Sequence, residues 1–414
     1  MVRFVREFRT LTTSQKRAFY AAFFGWMLDG FDFTILTFVL ADIQRSFTVD
    51  NALAGALGTV TLMFRLVGGA AAGTAADRWG RKLPLVLSIV WFSLFTVLSG
   101  FSTSYAMLFA CRALFGIGMG GEWAAGMPLA LEHLPDRLRG AAAGILQGAW
   151  AWGYILSALV FQTLYPVLRA QTSEAWRAMF WVGAVPALFV LWIRARVTES
   201  PVWLEGRAAS AGAAESRSVS LRRIFGPALL GTTIHCSLLA AAFMVSYYSV
   251  TYWYATFLQS RGLNTLPFVV ALNTGGILGS AFWGGASEGR LGRRGAVTVA
   301  AALGVAVSPL YLMSAAVPVL LVGALLVGFG AHGMWGAFPS YITERFPNDV
   351  RGAGAGFCYH AGALVGSFTS FGIGRMVDSG WTLPAAMTAA IVVSGLAVST
   401  VIWLGPETRG RRFQ

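Results

Sequence analysis

Charge is scarce in this chain. Asp, Glu, Lys and Arg make up 12% of its 414 residues, against roughly 25% in a soluble domain. There are 18 acidic residues, four histidines and three cysteines. Cys111, Cys236 and Cys358 each lie inside an apolar run and form no CxxC pair, which excludes a disulfide framework. No Gly-Lys-Ser/Thr phosphate loop is present, so ATP is not expected to drive the protein. No His/Cys/carboxylate cluster has metal-ligand spacing, and no Ser/His/Asp set is evident. No metal, no cofactor and no enzymatic activity are therefore expected.

Apolar sequence is what the chain has in quantity. Hydrophobic residues are 56% of the total, or about 232 side chains. Twelve bilayer-spanning helices of about 20 residues each need about 240. A soluble reading leaves most of this surface with nowhere to go, which excludes a cytosolic enzyme, a secreted domain and a disordered chain. Twelve spans can be drawn, at 18–40, 52–76, 83–101, 105–132, 141–165, 176–196, 227–258, 264–286, 295–314, 317–343, 353–376 and 382–404. The first run, from Ala18, is too long for a cleavable leader, and no small-residue cleavage pattern follows it. The expected class is an all-α membrane protein.

The net charge of +13 has an explanation other than nucleic acid. With the N-terminus inside, 24 of the 31 Lys and Arg residues fall in inside segments and five outside; Arg65 and Arg112 fall within spans. That asymmetry predicts cytoplasmic N- and C-termini. The one long polar connection, 197–224, divides the chain into six-span halves at 1–196 and 225–414, and its arginines suit anionic headgroups.

The halves repeat each other. Gly116-Ile-Gly118 and Glu132-His-Leu-Pro135-Asp136-Arg-Leu-Arg139-Gly140 match Gly328-Phe-Gly330 and Glu344-Arg-Phe-Pro347-Asn-Asp349-Val-Arg351-Gly352, at a constant offset of 212. Gly73-Thr-Ala-Ala-Asp77-Arg78-Trp-Gly80-Arg81-Lys82 parallels Gly284 to Arg294, with Glu288 opposite Asp77. Duplicated six-span halves are the build of many secondary transporters, whose substrate site lies between the halves near mid-membrane.

The loop Gly73-x-x-x-Asp77-Arg78-x-Gly80-Arg81-Lys82 resembles the signature of the major facilitator superfamily. Arg112-x-x-x-Gly116-x-Gly118-x-Gly120 is similar to its fourth-helix motif, and Pro406-Glu407-Thr408-Arg409-Gly410 to its tail signature. Leu28-Asp29-Gly30-Phe31-Asp32-Phe33, Arg65 with Gly68-Gly69, and Gly118-Met-Gly-Gly-Glu122 resemble the sialate:proton symporters, a group of sialic acid and lactate- or pyruvate-type carriers. An Asp-Gly-x-Asp first helix also occurs in aromatic-acid:proton symporters. The seventh span has Ser246-Tyr-Tyr-Ser249 in place of the yeast monocarboxylate carriers' His-x-Ser-Gln-Asp. The resemblance implies a monomer in a bacterial inner membrane that works by alternating access. In it, Gly73, Asp77, Arg78, Gly80 and Arg81 would latch one conformation, with Arg139, Glu288 and Arg351 as partners or counterparts, and Arg112 would serve a structural or proton-related role.

Five charges fall inside spans: Asp29, Asp32, Glu122, Arg65 and Arg112. Each costs about 2.5–3.5 kcal/mol at a helix centre, so they should face one another or water. All five lie in the first half; Gly276 stands opposite Arg65 in the repeat, and Ala324 opposite Arg112. Asp29 and Asp32 share a helix face, and two carboxylates that close in a poorly solvated site do not both ionise easily. They are candidates for proton coupling, with Glu122 as a third. The Arg65 guanidinium offers a fork that fits a carboxylate. It is the candidate substrate anchor, with a permanent ion pair to Asp29 or Asp32 as the alternative role. Softer cavity candidates are Gln147, Trp150 and Tyr154 on span five, Tyr247, Thr251 and Tyr254 on span seven, and Asn273 on span eight. His332 and His360 read as hydrogen-bonded buried imidazoles. The expected function is proton-coupled symport of an organic carboxylate, either sialic acid or a lactate- or pyruvate-type acid. Alternatives are aromatic-acid symport, proton-driven antiport of a hydrophobic or cationic compound, and a carboxylate receptor that transports nothing.

Overall fold

The computed structural model describes residues 7–201, 203–204, 222–347 and 350–410. Helices form all of its regular structure, with no strand among the described residues. In the first half these are α1 (Thr13–Phe47), α2 (Asn51–Trp79), α3 (Lys82–Gly100), α4 (Tyr105–His133), α5 (Asp136–Arg169), α6 (Ala175–Val182) and α7 (Val185–Arg196). In the second they are α8 (Pro227–Thr251), α9 (Tyr254–Ser260), α10 (Thr265–Glu288), α11 (Gly292–Leu312) and α12 (Val317–Val327). After these come α13 (Phe338–Thr343), α14 (Arg351–Gly366), α15 (Phe368–Asp378) and α16 (Leu383–Leu404). Nine of the described helices are long and apolar enough to cross a membrane. Each of the twelve expected spans coincides with one helix or with a run of broken helical segments.

Local chemistry sets several ends. Ser104 caps α4 by accepting from the Met107 amide at 3.2 Å, and Asn264 caps α10 by accepting from the Leu266 amide at 3.0 Å. Four spans are interrupted. Span six breaks at Gly183, span seven at Tyr252–Trp253 and span eleven at Ser367. Span ten passes from α12 into a π-helical segment, Gly328–His332, and then a 3₁₀ turn, Gly333–Gly336. Glycine explains the last case. A methyl group at Gly330 would lie 2.7 Å from the Gly304 amide, and one at Gly333 would lie 2.8 Å from Cα of Gly279. The segment crosses α10 and α11 backbone to backbone, and glycine-rich sequence holds a regular helix weakly.

The chain divides into two compact units, Met1–Phe47 with Val60–Ala214, and Thr48–Thr59 with Glu215–Gln414. In the first unit α1 packs along α5 and α4, and α3 along α4. In the second, α8 packs along α14 and α16, and α11 along α16 and α12. The start of α2 belongs with the second unit. There Asp378 accepts from the backbone amides of Asn51 (3.2 Å) and Ala52 (2.7 Å), and the Tyr252 hydroxyl bridges the Ala54 carbonyl and the Gly58 amide, both at 3.0 Å. Most of the connection expected at 197–224 lies outside the described residues.

Candidate functional site

The five intramembrane charges all belong to the first unit, and all are buried: Asp29 and Asp32 on α1, Arg65 on α2, Arg112 and Glu122 on α4. Missing side chains make room for them. A methyl group at Gly25 would sit 2.5 Å from Oε1 of Glu122, and one at Gly126 3.0 Å from it. One at Gly183 would sit 2.8 Å from Oδ1 of Asp32, so the break in span six opens beside that carboxylate. Asp32 Oδ2 accepts a long hydrogen bond from Thr96 (3.4 Å). Neither oxygen of Asp29 accepts a hydrogen bond among the described residues.

The arginines are held by aromatic faces. The Arg65 guanidinium carbon lies 5.0 Å from the Trp26 ring centre and 5.9 Å from that of Trp150. That of Arg112 lies 3.8 Å from the Phe115 ring and 5.7 Å from the Phe180 ring. All four distances are in the cation–π range. Asp29 is within electrostatic reach of Arg65 and Arg112, Asp32 of Arg112, and Glu122 of Asp29 and Arg65. The five form one network with Asp29 at its centre. A small cavity beside it is lined by Ala22, Trp26, Glu122, Trp123, Met127 and Leu146.

The softer candidates divide. Trp150 reaches the network, packed with tilted rings against Trp26 (5.0 Å) and Phe33 (5.7 Å), with Gly30 beneath it. Gln147 is half-buried on the same helix. Tyr154 is fully buried against Phe38. The expected common face of Tyr247, Thr251 and Tyr254 is split by the break after Thr251. Tyr247 stacks on His332 (4.8 Å), whereas Tyr254 stacks on Tyr311 (4.3 Å) in the packed interior. Thr251 donates to the Tyr247 carbonyl, and Asn273 to that of Val269, each at 2.9 Å. The hydrogen-bonded imidazole expected at His332 is not what the structure has at Nε2, which makes no hydrogen bond among the described residues.

Two matched networks tie the loop motifs down. At Gly80, whose φ is 95°, the space where a side chain would stand holds the Glu199 carboxylate. Glu199 accepts from the amides of Arg81 (2.8 Å), Lys82 (3.1 Å) and Ser200 (2.8 Å). Arg81 pairs with Glu132 at 3.3 Å, and Ser200 donates to Glu132 at 2.5 Å. The second unit repeats this. Gly292, with φ 67°, faces Glu407, which accepts from Arg293 (3.0 Å) and Arg294 (3.1 Å). Arg293 pairs with Glu344 and Glu288, each at 2.7 Å. Burial alone would raise the Glu407 carboxyl, but the amides of Arg409, Arg294, Arg293 and Thr408 hold it below its ordinary 4.5. Gly73 lies near Ala124. The side chains of Asp77, Arg78, Arg139 and Arg351 lie outside the described residues. Sequence reasoning missed Glu132, Glu199, Glu344 and Glu407. The 212-residue repeat of Glu132 in Glu344, and a Glu after each half's last span, were the available signals.

The family model for the Major Facilitator Superfamily matches residues 22–370. A protein of Cupriavidus pinatubonensis described as a probable 4-methylmuconolactone transporter is 34% identical over 400 residues, covering 96% of this chain and 91% of that one. The sialic acid transporter NanX of Escherichia coli is 29% identical over 371 residues, 87% of this chain and 86% of its own. A cis,cis-muconate transport protein of Acinetobacter baylyi is 29% identical over 372 residues, 88% of each. Among solved structures, a D-xylose–proton symporter superposes with a TM-score of 0.76 at 22% identity, over 96% of this chain and 99% of that one. The inward-open xylose transporter XylE of Escherichia coli also gives 0.76, at 21% identity, over 95% and 97%.

Proposed function

The chain belongs to the major facilitator superfamily and is a transporter rather than an enzyme, and from that premise we propose that it carries an organic carboxylate in symport with protons. The observation that carries this reading is the buried network of three carboxylates and two guanidiniums. Fully ionised, it holds one negative charge in excess. One bound proton neutralises it, and Asp29, whose oxygens have no hydrogen-bond donor among the described residues, is our candidate to hold that proton. Asp32 and Glu122 are the alternative proton sites. A cargo carboxylate on Arg65 restores the excess, and one further proton removes it. An uncompensated charge is costly in a site closed to water, so proton and cargo cross together.

Arg65 is the proposed carboxylate anchor. Its stacking on Trp26 and Trp150 fixes the plane of the fork that a carboxylate meets with two hydrogen bonds. Two buried arginines disfavour a cationic cargo, which argues against antiport of a cation. Among cargo classes, relatives named for sialic acid, muconate and 4-methylmuconolactone support sugar acids and ring-derived acids ahead of lactate. The 24-to-5 division of basic residues supports an orientation with both termini cytoplasmic, and the bacterial relatives support placement in an inner membrane. We assign the Gly80–Glu199 and Gly292–Glu407 networks to gating and take the monomer as the working unit.

Uptake into proteoliposomes under an inward acid gradient tests the reading. The panel is N-acetylneuraminate, lactate, cis,cis-muconate, 4-methylmuconolactone and nicotinate. We expect gradient-driven uptake of at least one acid, insensitive to membrane potential for a monoanion. Arg65→Ala should abolish it. Asp29→Asn, which stands in for the resident proton, should keep gradient-driven uptake, whereas Asp32→Asn or Glu122→Gln, which removes a site for the further proton, should lose gradient-driven accumulation and keep counterflow. Uptake of no panel acid refutes carboxylate symport, and full activity in Arg65→Ala refutes the anchor.

A further inference from the structure

The repeat places His332 opposite Gly120 and Gly276 opposite Arg65. The two crossings are complementary. In the first unit Gly120 lies against the Arg65 backbone, and a methyl group there would sit 2.6 Å from the Gly69 amide. In the second unit Gly276 lies against His332, where a methyl group would sit 3.1 Å from Cβ of His332 and 3.5 Å from Nδ1. Each crossing therefore sets one glycine against one residue that carries a nitrogen-bearing side chain, with the two exchanged between helices; the first meets the Arg65 backbone and the second the His332 side chain. The side chain comes from the second helix of the first half and from the tenth span of the second.

The tenth span is α-helical where it starts and π-helical at His332. Such bulges recur at functional sites because they re-aim one side chain. The 3₁₀ turn that follows brings residues three apart onto one side, which sets Trp335 beside His332. Both meet one face of α8. Tyr247 stacks on His332 at 4.8 Å and 29°, and Phe243 meets Trp335 edge-on at 5.3 Å. His332 is 7% exposed. Nε2 of His332 and Nε1 of Trp335 are buried and make no hydrogen bond among the described residues. Buried donors without an acceptor are rare in native structures, because leaving them so is costly.

Resting on the carboxylate reading above, we propose that His332 is a cargo-binding residue. It donates from Nε2 to an acceptor oxygen of the cargo, with Tyr247 holding the imidazole plane and Trp335 supplying a second N–H. The chemistry suits an acid with a flat, unsaturated frame and a second acceptor, a carboxylate or a lactone carbonyl. An aromatic wall with two donors matches such a face. A polyhydroxylated sugar acid needs several acceptors as well, and neither nitrogen provides one while it donates.

The test compares trans,trans-muconate with trans,trans-2,4-hexadienoate, which has the same conjugated chain and lacks the second carboxylate. Binding is measured by calorimetry on full-length protein, for wild type, His332→Phe, His332→Gln and Trp335→Phe. His332→Phe keeps a ring on Tyr247, so its melting temperature should stay near wild type. We expect its muconate affinity to fall roughly tenfold or more, with hexadienoate changed by less than about threefold. His332→Gln, which keeps a donor, should fall between. Equal muconate affinity in wild type and His332→Phe overturns the proposal, as does an equal loss for both acids. Binding of other panel acids but neither diene also overturns it and leaves the carboxylate reading standing. Binding of no acid removes both.

Discussion

Replacing Gly80 with alanine probes the packing that joins the loop motif to the end of the first half. The φ of 95° is open to glycine and costs another residue about 1–2 kcal/mol. The new methyl group would occupy the place of the Glu199 carboxylate, which accepts from the Arg81, Lys82 and Ser200 amides. Displacing it forfeits at least one charge-assisted hydrogen bond, about 1.5–3 kcal/mol. The sum is about 2.5–5 kcal/mol. Cys111, Cys236 and Cys358 are free and buried, so a thiol-reactive fluorescent dye reports unfolding in detergent without engineering. We expect Gly80→Ala to melt several degrees below wild type. In a Glu199→Ala background the same substitution should cost only the backbone strain, about 1–2 kcal/mol, which gives a coupling of about 1.5–3 kcal/mol across the cycle. A Gly80→Ala melting curve that overlays wild type, or a cycle with additive losses, would refute the reasoning.

Three further outcomes follow from the geometry. Glu407 is held below its ordinary 4.5 by four backbone amides, so its stabilising contribution is complete above that value and is lost as pH falls through the folded-state value. The difference in melting temperature between wild type and Glu407→Gln should therefore be largest at neutral pH and shrink below about pH 4.5; a constant difference would contradict it. Gly25→Ala puts a methyl group 2.5 Å from Oε1 of Glu122. We expect proton-driven uptake to fall by about tenfold or more with the protein still folded, and equal rates in the two proteins would show that Glu122 does not need that space. Arg65→Lys keeps the charge but loses the fork and the stacking on Trp26 and Trp150. The expected readout is a KM about tenfold higher at preserved expression, and an unchanged KM would mean that a point charge suffices.

The sequence by itself determined the class and the parts. Twelve apolar stretches, a 24-to-5 split of basic residues and the 212-residue repeat are properties of local composition, and a bilayer converts them directly into spans and orientation. Asp29, Asp32, Arg65, Arg112 and Glu122 were legible because charge inside an apolar run is rare. Their assembly around Asp29 was not, since it depends on how α1, α2 and α4 cross, and on Gly25, Gly126 and Gly183 leaving space. The pairing of Glu199 with Gly80 joins residues more than a hundred positions apart and has no local signature. Helical spacing put Tyr247 and Tyr254 on one face, but the break at Tyr252–Trp253 turned the second into the core. His332 read as an ordinary buried imidazole until the π-helical turn set its direction. Periodicity fixes a face only while the helix is unbroken. Where glycine lets backbones touch, the neighbouring helix decides where the next side chain points.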